Sequence, residues 1–255
     1  MRRITLVLST LVLGSFAVVG GMSDALASGA PNWTGPYAGL NVGYGYGNAP
    51  TSVTINPAES TVVTSSNAPA PTKSELDGFM GGGQVGYNYQ FEKSFVAGLE
   101  TDFDYSGASR SNSAVGAPYI GGTMQTTVKE RLGGLGTLRG RLGGLPMDNL
   151  LLYGTGGLAY GSVTTNLIGN NLTGCGGFVY CMSGSSSGIS VGWTAGLGAE
   201  YAFMDKWSLK AEYLHIDLGS NSATTGFDPA NAGGNATAKN SFTTDAIKVG
   251  LNYHF

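Results

Sequence analysis

Carboxylates and cations recur in this chain at every second position. Glu100, Asp102 and Asp104 do so in FVAGLETDFDYS, Arg139 and Arg141 in TLRGRLG, and Lys210 and Glu212 in WSLKAEY. Arg131, Glu200 and Lys248 stand at comparable places in their own segments. Such groups serve three chemistries: paired carboxylates act as general acid and base, arginines facing carboxylates line an ion path, or opposite charges neutralise one another as buried pairs. No nucleophile falls with a base and an orienting group in a recognisable pattern, so the chain is read as non-enzymatic.

Other candidate motifs weaken when their context is considered. Gly154-Thr155-Gly156-Gly157-Leu158-Ala159 fits the G-x-G-x-x-A dinucleotide fingerprint, but that fingerprint needs a helix beginning on the glycines, and LLYGTGGLAYGSV reads as strand. Cys175 and Cys181 lie in a Gly- and Ser-rich stretch and suit a small loop disulfide in a secreted chain. His215 and His254 are too few and too far apart in sequence to argue for a metal, and no cofactor is implied. With a net charge of -3 and no basic cluster, nucleic acid is not an expected partner.

The alternating charges require elements of period two to position them. In AIKVGLNYHF, Ile247, Val249, Leu251, Tyr253 and Phe255 share one face, while Lys248, Gly250, Asn252 and His254 share the other. About eight such segments recur, the count of the smallest single-chain outer-membrane barrels. They include Tyr37 onward, with Ala38, Leu40, Val42, Tyr44 and Tyr46 outward, and Val191 to Phe203, which opposes its apolar face to Thr194 and Glu200. The segment from about Thr127 to Gly143 sets Leu132, Leu138 and Leu142 against Arg131, Thr137, Arg139 and Arg141.

Short connections at Glu92 to Ser94, Leu145 to Asn149 and Met204 to Lys206 alternate with long polar ones. The long ones run from about Asn48 to Asp77, Gly107 to Gln125, Thr164 to Ser190 and Gly219 to Asn240. A sheet trimmed at one end and decorated at the other predicts an all-β fold. It is an eight-stranded antiparallel up-and-down transmembrane barrel with short periplasmic turns and long extracellular loops. Closure leaves no edge, so the apolar faces can turn to lipid. Tyr37, Tyr46, Phe91, Phe95, Phe203 and Trp207 are expected to form the aromatic girdles.

The N-terminus carries Arg2 and Arg3, an apolar run from Ile4 to about Val19, and Ala25-Leu26-Ala27, the pattern of a cleaved secretory signal over residues 1–27. Residues 28–36 are then a short periplasmic segment and residues 37–255 the barrel domain. Inside the barrel the expected network is Glu100, Asp102, Asp104, Arg131, Arg139, Arg141, Glu200, Lys210, Glu212 and Lys248. An eight-stranded lumen is only wide enough for side chains to fill, which favours an interlocked plug over a narrow conduit for small ions.

WTGPYAGLNVGYGYGN, TLRGRLG, LLYGTGGLAYG, GWTAGLGAEYAF, WSLKAEYLHIDLG and the closing LNYHF together cover nearly every expected strand. They resemble the small porin-like outer-membrane β-barrel proteins of Gram-negative bacteria, related to opacity-type surface antigens and other OmpA-like barrels. The resemblance implies residence in the outer membrane among lipid and lipopolysaccharide. It also implies insertion by the outer-membrane assembly machinery, which reads a C-terminal aromatic strand, here Tyr253 and Phe255. Members are described as surface antigens, envelope-stabilising proteins, haem binders or weak porins. The expected function is accordingly a surface protein of envelope integrity and surface contact, with conduction, or a haem or host ligand on the loops, as alternatives. One departure is Gly134-Leu135-Gly136, which stands where the family often places a bulky aromatic.

Overall fold

A computed structural model of the chain describes residues 32–48, 51–57, 75–119, 122–171, 182–226 and 234–255. The expected signal segment, residues 28–31 and both cysteines, Cys175 and Cys181, lie outside the described residues. The strands are β1 (Gly35–Asn48), β2 (Thr51–Pro57), β3 (Glu75–Phe91), β4 (Phe95–Ser106), β5 (Ser109–Tyr119), β6 (Gly122–Met147), β7 (Leu150–Asn171), β8 (Met182–Met204), β9 (Trp207–Gly226) and β10 (Gly234–His254). Eight of them form an antiparallel ring in the order β1-β3-β4-β6-β7-β8-β9-β10. It closes where β1 pairs with β10, from Tyr37 against His254 to Asn48 against Thr243. β2 continues the line of β1 along β10, and β5 continues β4 along β6.

The expected alternation sets which way side chains point. Leu40, Leu99, Leu142, Tyr201 and Val249 are exposed on the outer surface, while their neighbours Asn41, Glu100, Arg141, Glu200 and Lys248 are buried in the lumen. Outward residues from Phe95 to Tyr105, at roughly 3.3 Å rise and a tilt near 40°, cover about 25 Å, the height of a hydrocarbon band. So large an apolar exterior is stable only against lipid. At the periplasmic rim, Trp207, Tyr253 and Phe255 contact one another edge-on, with ring centroids 5.1 and 5.2 Å apart. Phe91 and Phe95 stack there at 5.8 Å. Tyr37 departs from its expected girdle place. It has the parity of Gly39 and Asn41, points inward and is 1% exposed.

The long connections differ from the expectation of irregular loops. Much of each is strand: β5 and the upper parts of β6 to β10 carry the ladder past the apolar band as tall hairpins. Hydroxyl pairs across the ladder support them, Ser113 with Thr127 at 2.9 Å and Thr224 with Thr237 at 3.0 Å. Their outward positions, such as Lys129 and Ser185, are polar, and their inward positions mix Glu130 and Thr165 with Val128 and Leu167, so no continuous apolar face marks them as strands.

A second departure follows from a β-bulge in β6. Leu132 pairs with Val163 but Leu135 with Gly161, so Gly133 and Gly134 insert an extra residue and reverse the parity of everything above them. Arg131, expected inside, is therefore exposed on the outer surface, and Leu132 and Glu130 turn inward. In a background with Cys175 and Cys181 replaced by Ser, Arg131→Cys in vesicle-embedded protein is expected to react fast with a membrane-impermeant maleimide. Leu132→Cys should react only after unfolding, and the opposite order would contradict the bulge.

Candidate functional site

Layers of opposite chemistry fill the lumen. At the periplasmic end Trp33, just ahead of β1, folds into the mouth and packs with Val96, Leu151 and Tyr153. Its indole N–H donates to the Asp148 carbonyl at 3.0 Å, and its ring meets His254 edge-on at 5.7 Å. Nearer the extracellular end a second apolar layer, including Met80, Leu132, Leu135, Leu214, Ile216 and Phe242, crosses the lumen, with every member at most 5% exposed. The bulge in β6 supplies Leu132 to this layer. In β9 a second bulge, at Leu218 and Gly219, places Gly219 at a φ of +72°, in the left-handed region that favours glycine.

Between the two apolar layers lies the charge network. Glu100 is its hub: its carboxylate accepts from Arg139 Nη2 at 2.5 Å, Lys210 Nζ at 2.8 Å and the Tyr37 hydroxyl at 2.6 Å. Arg139 also reaches Asp102 at 2.7 Å and Glu212 at 2.9 Å, and its Nε donates to Thr137 Oγ1 at 2.9 Å. Lys248 donates to Asp104 at 2.6 Å and lies 3.4 Å from Asp102. Arg141 donates to Glu200 at 2.6 Å, and Glu200 is held in turn by the Ser208 hydroxyl at 2.6 Å and Asn252 Nδ2 at 2.8 Å. Asn252 accepts from Gln84 at 2.5 Å, and Gln84 accepts from Asn41 at 3.3 Å. Seven of the eight ring strands thus contribute a side chain, Tyr153 of β7 adds the eighth by donating to Glu212, and the network ties together strands that share no ladder.

The Arg141 guanidinium lies between two inward tyrosine rings, 5.2 Å from the Tyr37 centroid and 4.6 Å from that of Tyr153. Each ring lies over a glycine directly across its ladder, Tyr37 over Gly86 and Tyr153 over Gly198. A Cβ on either glycine would come within 2.4 Å of the ring. Glycine at these two positions lets the rings lie flat and sets both hydroxyls toward carboxylates, Tyr37 to Glu100 and Tyr153 to Glu212 at 3.0 Å.

Of the residues the sequence singled out, Glu100, Asp102, Asp104, Arg139, Arg141, Glu200, Lys210, Glu212 and Lys248 converge in the lumen, and Arg131 does not. With Arg131 outside, the signs no longer match: carboxylates Glu100, Asp102, Asp104, Glu200 and Glu212 face cations Arg139, Arg141, Lys210 and Lys248, five to four. The sequence reading did not anticipate Trp33, Tyr37, Tyr153 or Glu130 as lumen residues. For Tyr37 and Tyr153 the signal was present, since both fall on the polar parity of their strands.

Breaking a buried pair leaves a charge with no partner and no water. Arg141→Ala is expected to lower the stability of the lipid-embedded barrel by about 3–5 kcal/mol, and Arg131→Ala by less than about 0.5 kcal/mol. Urea unfolding followed by tryptophan fluorescence measures both, and equal effects would contradict the assignment of one inside and one outside.

Sequence comparison agrees with this architecture. The profile of the family described as "Outer membrane protein beta-barrel domain" matches residues 13–255. The chain is 37% identical over 225 residues to the 31 kDa outer-membrane immunogenic protein of Brucella melitensis, covering 88% of this chain and 84% of that one. It is 33% identical over 156 residues to the 22 kDa outer membrane protein of Rhizobium leguminosarum, covering 58% and 60%. The crystal structure of OprG from Pseudomonas aeruginosa superposes with a TM-score of 0.49 at 12% identity, covering 89% of this chain and 98% of that one. The family match and the first relative, each spanning most of the chain, establish that it belongs to the outer membrane protein β-barrel domain family and resides in the outer membrane.

Proposed function

We propose that this chain is a non-enzymatic, non-conducting barrel that anchors tall polar hairpins at the cell surface and contributes to envelope integrity and surface contact. One observation carries the reading: an ion-paired layer with apolar layers on both sides of it. An ion crossing the lumen would have to enter an apolar layer whose members are at most 5% exposed, then displace carboxylates and cations already engaged with one another. The conduit alternative needed Arg131, Arg139 and Arg141 along one path. Arg131 is outside, and the other two are locked to Glu100, Asp102, Glu200 and Glu212.

The immunogenic naming of the Brucella relative supports surface display of the hairpins. Tyr253 and Phe255, at the periplasmic rim beside the ring closure, suit the role of an assembly signal. There Phe255 N–H donates to the Pro36 carbonyl at 3.1 Å. In planar bilayers the refolded protein is expected to give no conductance steps. Steps that change size in Arg139→Ala would replace this reading with the conduit.

A further inference from the structure

Above the lipid band, the outer surface of β5 to β8 differs from the rest of the exterior. One row across the four strands reads Ser109, Arg131, Thr164 and Ser187. The next row up reads Ser111, Lys129, Asn166 and Ser185. Both rows face outward, because the intervening residues Val128, Glu130, Thr165 and Leu167 are buried toward the lumen. An open cleft of about 440 Å³ lies along the upper row, lined in part by Lys129, Asn166, Ile168 and Ser185.

Two cations therefore stand among hydroxyls and an amide, with no carboxylate in either row. Among the described side chains, the outward carboxylates of this end stand on other strands and have partners of their own. Asp77 on β3 accepts from the Tyr44 hydroxyl, and Asp245 on β10 binds Tyr213 at 2.7 Å and His215 at 2.8 Å. Asp217 on β9 accepts from its own turn, at Gly219 N. Among the described side chains, the upper outward face of β5 to β8 thus carries two cations and no carboxylate.

The height of the two cations narrows the chemistry of the occupant. Arg131 donates to the hydroxyl of Tyr105, the uppermost outward aromatic of β4, at 3.2 Å. It therefore sits at the top of the hydrocarbon band, and Lys129 stands roughly 5 Å higher along the tilted strand. Below them Phe103, Leu138 and Leu158 are exposed to lipid. A molecule matching this column has acyl chains at the bottom, phosphate at the level of Arg131 and Lys129, and saccharide hydroxyls above. Guanidinium and ammonium groups hold phosphate, and a flat field of Ser, Thr and Asn exchanges hydrogen bonds with sugar hydroxyls.

We propose that the outward face of β5 to β8 is a docking site for the phosphorylated saccharide headgroup of lipopolysaccharide, its phosphate held between Arg131 and Lys129. The assignment rests on outer-membrane residence and not on whether the lumen conducts. The full chain, folded in nanodiscs, is titrated with lipopolysaccharide, with the same lipopolysaccharide after enzymatic dephosphorylation, and with inorganic phosphate alone. Lys129→Ala and Arg131→Ala each weaken lipopolysaccharide binding about fivefold and together ~25-fold. Lys239→Ala, an exposed cation on β10, leaves it unchanged. Dephosphorylated lipopolysaccharide binds the unaltered chain as weakly as the intact lipid binds the double variant.

Four results overturn the proposal: a double variant that binds like the parent, a Lys239→Ala loss equal to that of Lys129→Ala, undiminished binding of the dephosphorylated lipid, or inorganic phosphate binding as tightly as the lipid. Heat-dependent gel mobility confirms that each variant is folded. Lys129→Arg, which keeps the charge, restores binding and separates loss of contact from loss of fold.

Discussion

Hydrocarbon offers a backbone no hydrogen-bond partner, and every feature of this molecule answers to that fact. A strand placed in lipid must find its donors and acceptors on both sides, so the sheet has to return on itself. The pairing of β1 with β10, continuous from Tyr37 against His254 to Asn48 against Thr243, meets the requirement. Once the ring is closed, alternation sends one set of side chains to lipid and the other into a lumen with no room for bulk water. Trp33 and the periplasmic rings of Trp207, Tyr253 and Phe255 finish the lower end from inside and outside.

The lumen then sets a problem of its own, because charged groups taken out of water are costly unless each is paired. Glu100 meets Arg139, Arg141, Lys210 and the Tyr37 hydroxyl, and Arg141 fills the slot between two tyrosines laid over glycines. Hydrophobic residues of similar size could fill the same space, and buried ion pairs are weak evidence for stability as such. What the polar layer adds is register: a one-residue slip of β4, β6, β8, β9 or β10 would carry its charges into lipid. The apolar layers above and below keep the ionic layer dry and separate surface function from the lumen. Recognition is thereby left to the exterior and to the hairpins.

Much of this was legible in the sequence because period two is unambiguous where one face meets lipid. Ile247, Val249 and Leu251 against Lys248 and Asn252 fix a strand and its sidedness, and Glu100, Asp102 and Asp104 fix another. Legibility failed in three places for physical reasons. An extra residue at Gly133 and Gly134 reverses parity without interrupting the apparent pattern, so period two alone points Arg131 inside. The hairpin extensions are polar outside and mixed inside, with Val128 and Leu167 among Glu130 and Thr165, which blurs the alternation that identifies a strand. The strand-end position of Tyr37 suggests a girdle, whereas its parity with Asn41 points inward, and parity decides.

Closure of the ring in lipid is the claim on which the rest stands, and amide hydrogen exchange in lipid nanodiscs tests it most directly. In a closed ring, amides of Tyr37 to Asn48 and Thr243 to His254 are protected as strongly as those of the β6–β7 ladder, since neither belongs to an edge. Fast exchange along that seam, with β6 and β7 still protected, would mean an open sheet and would contradict it.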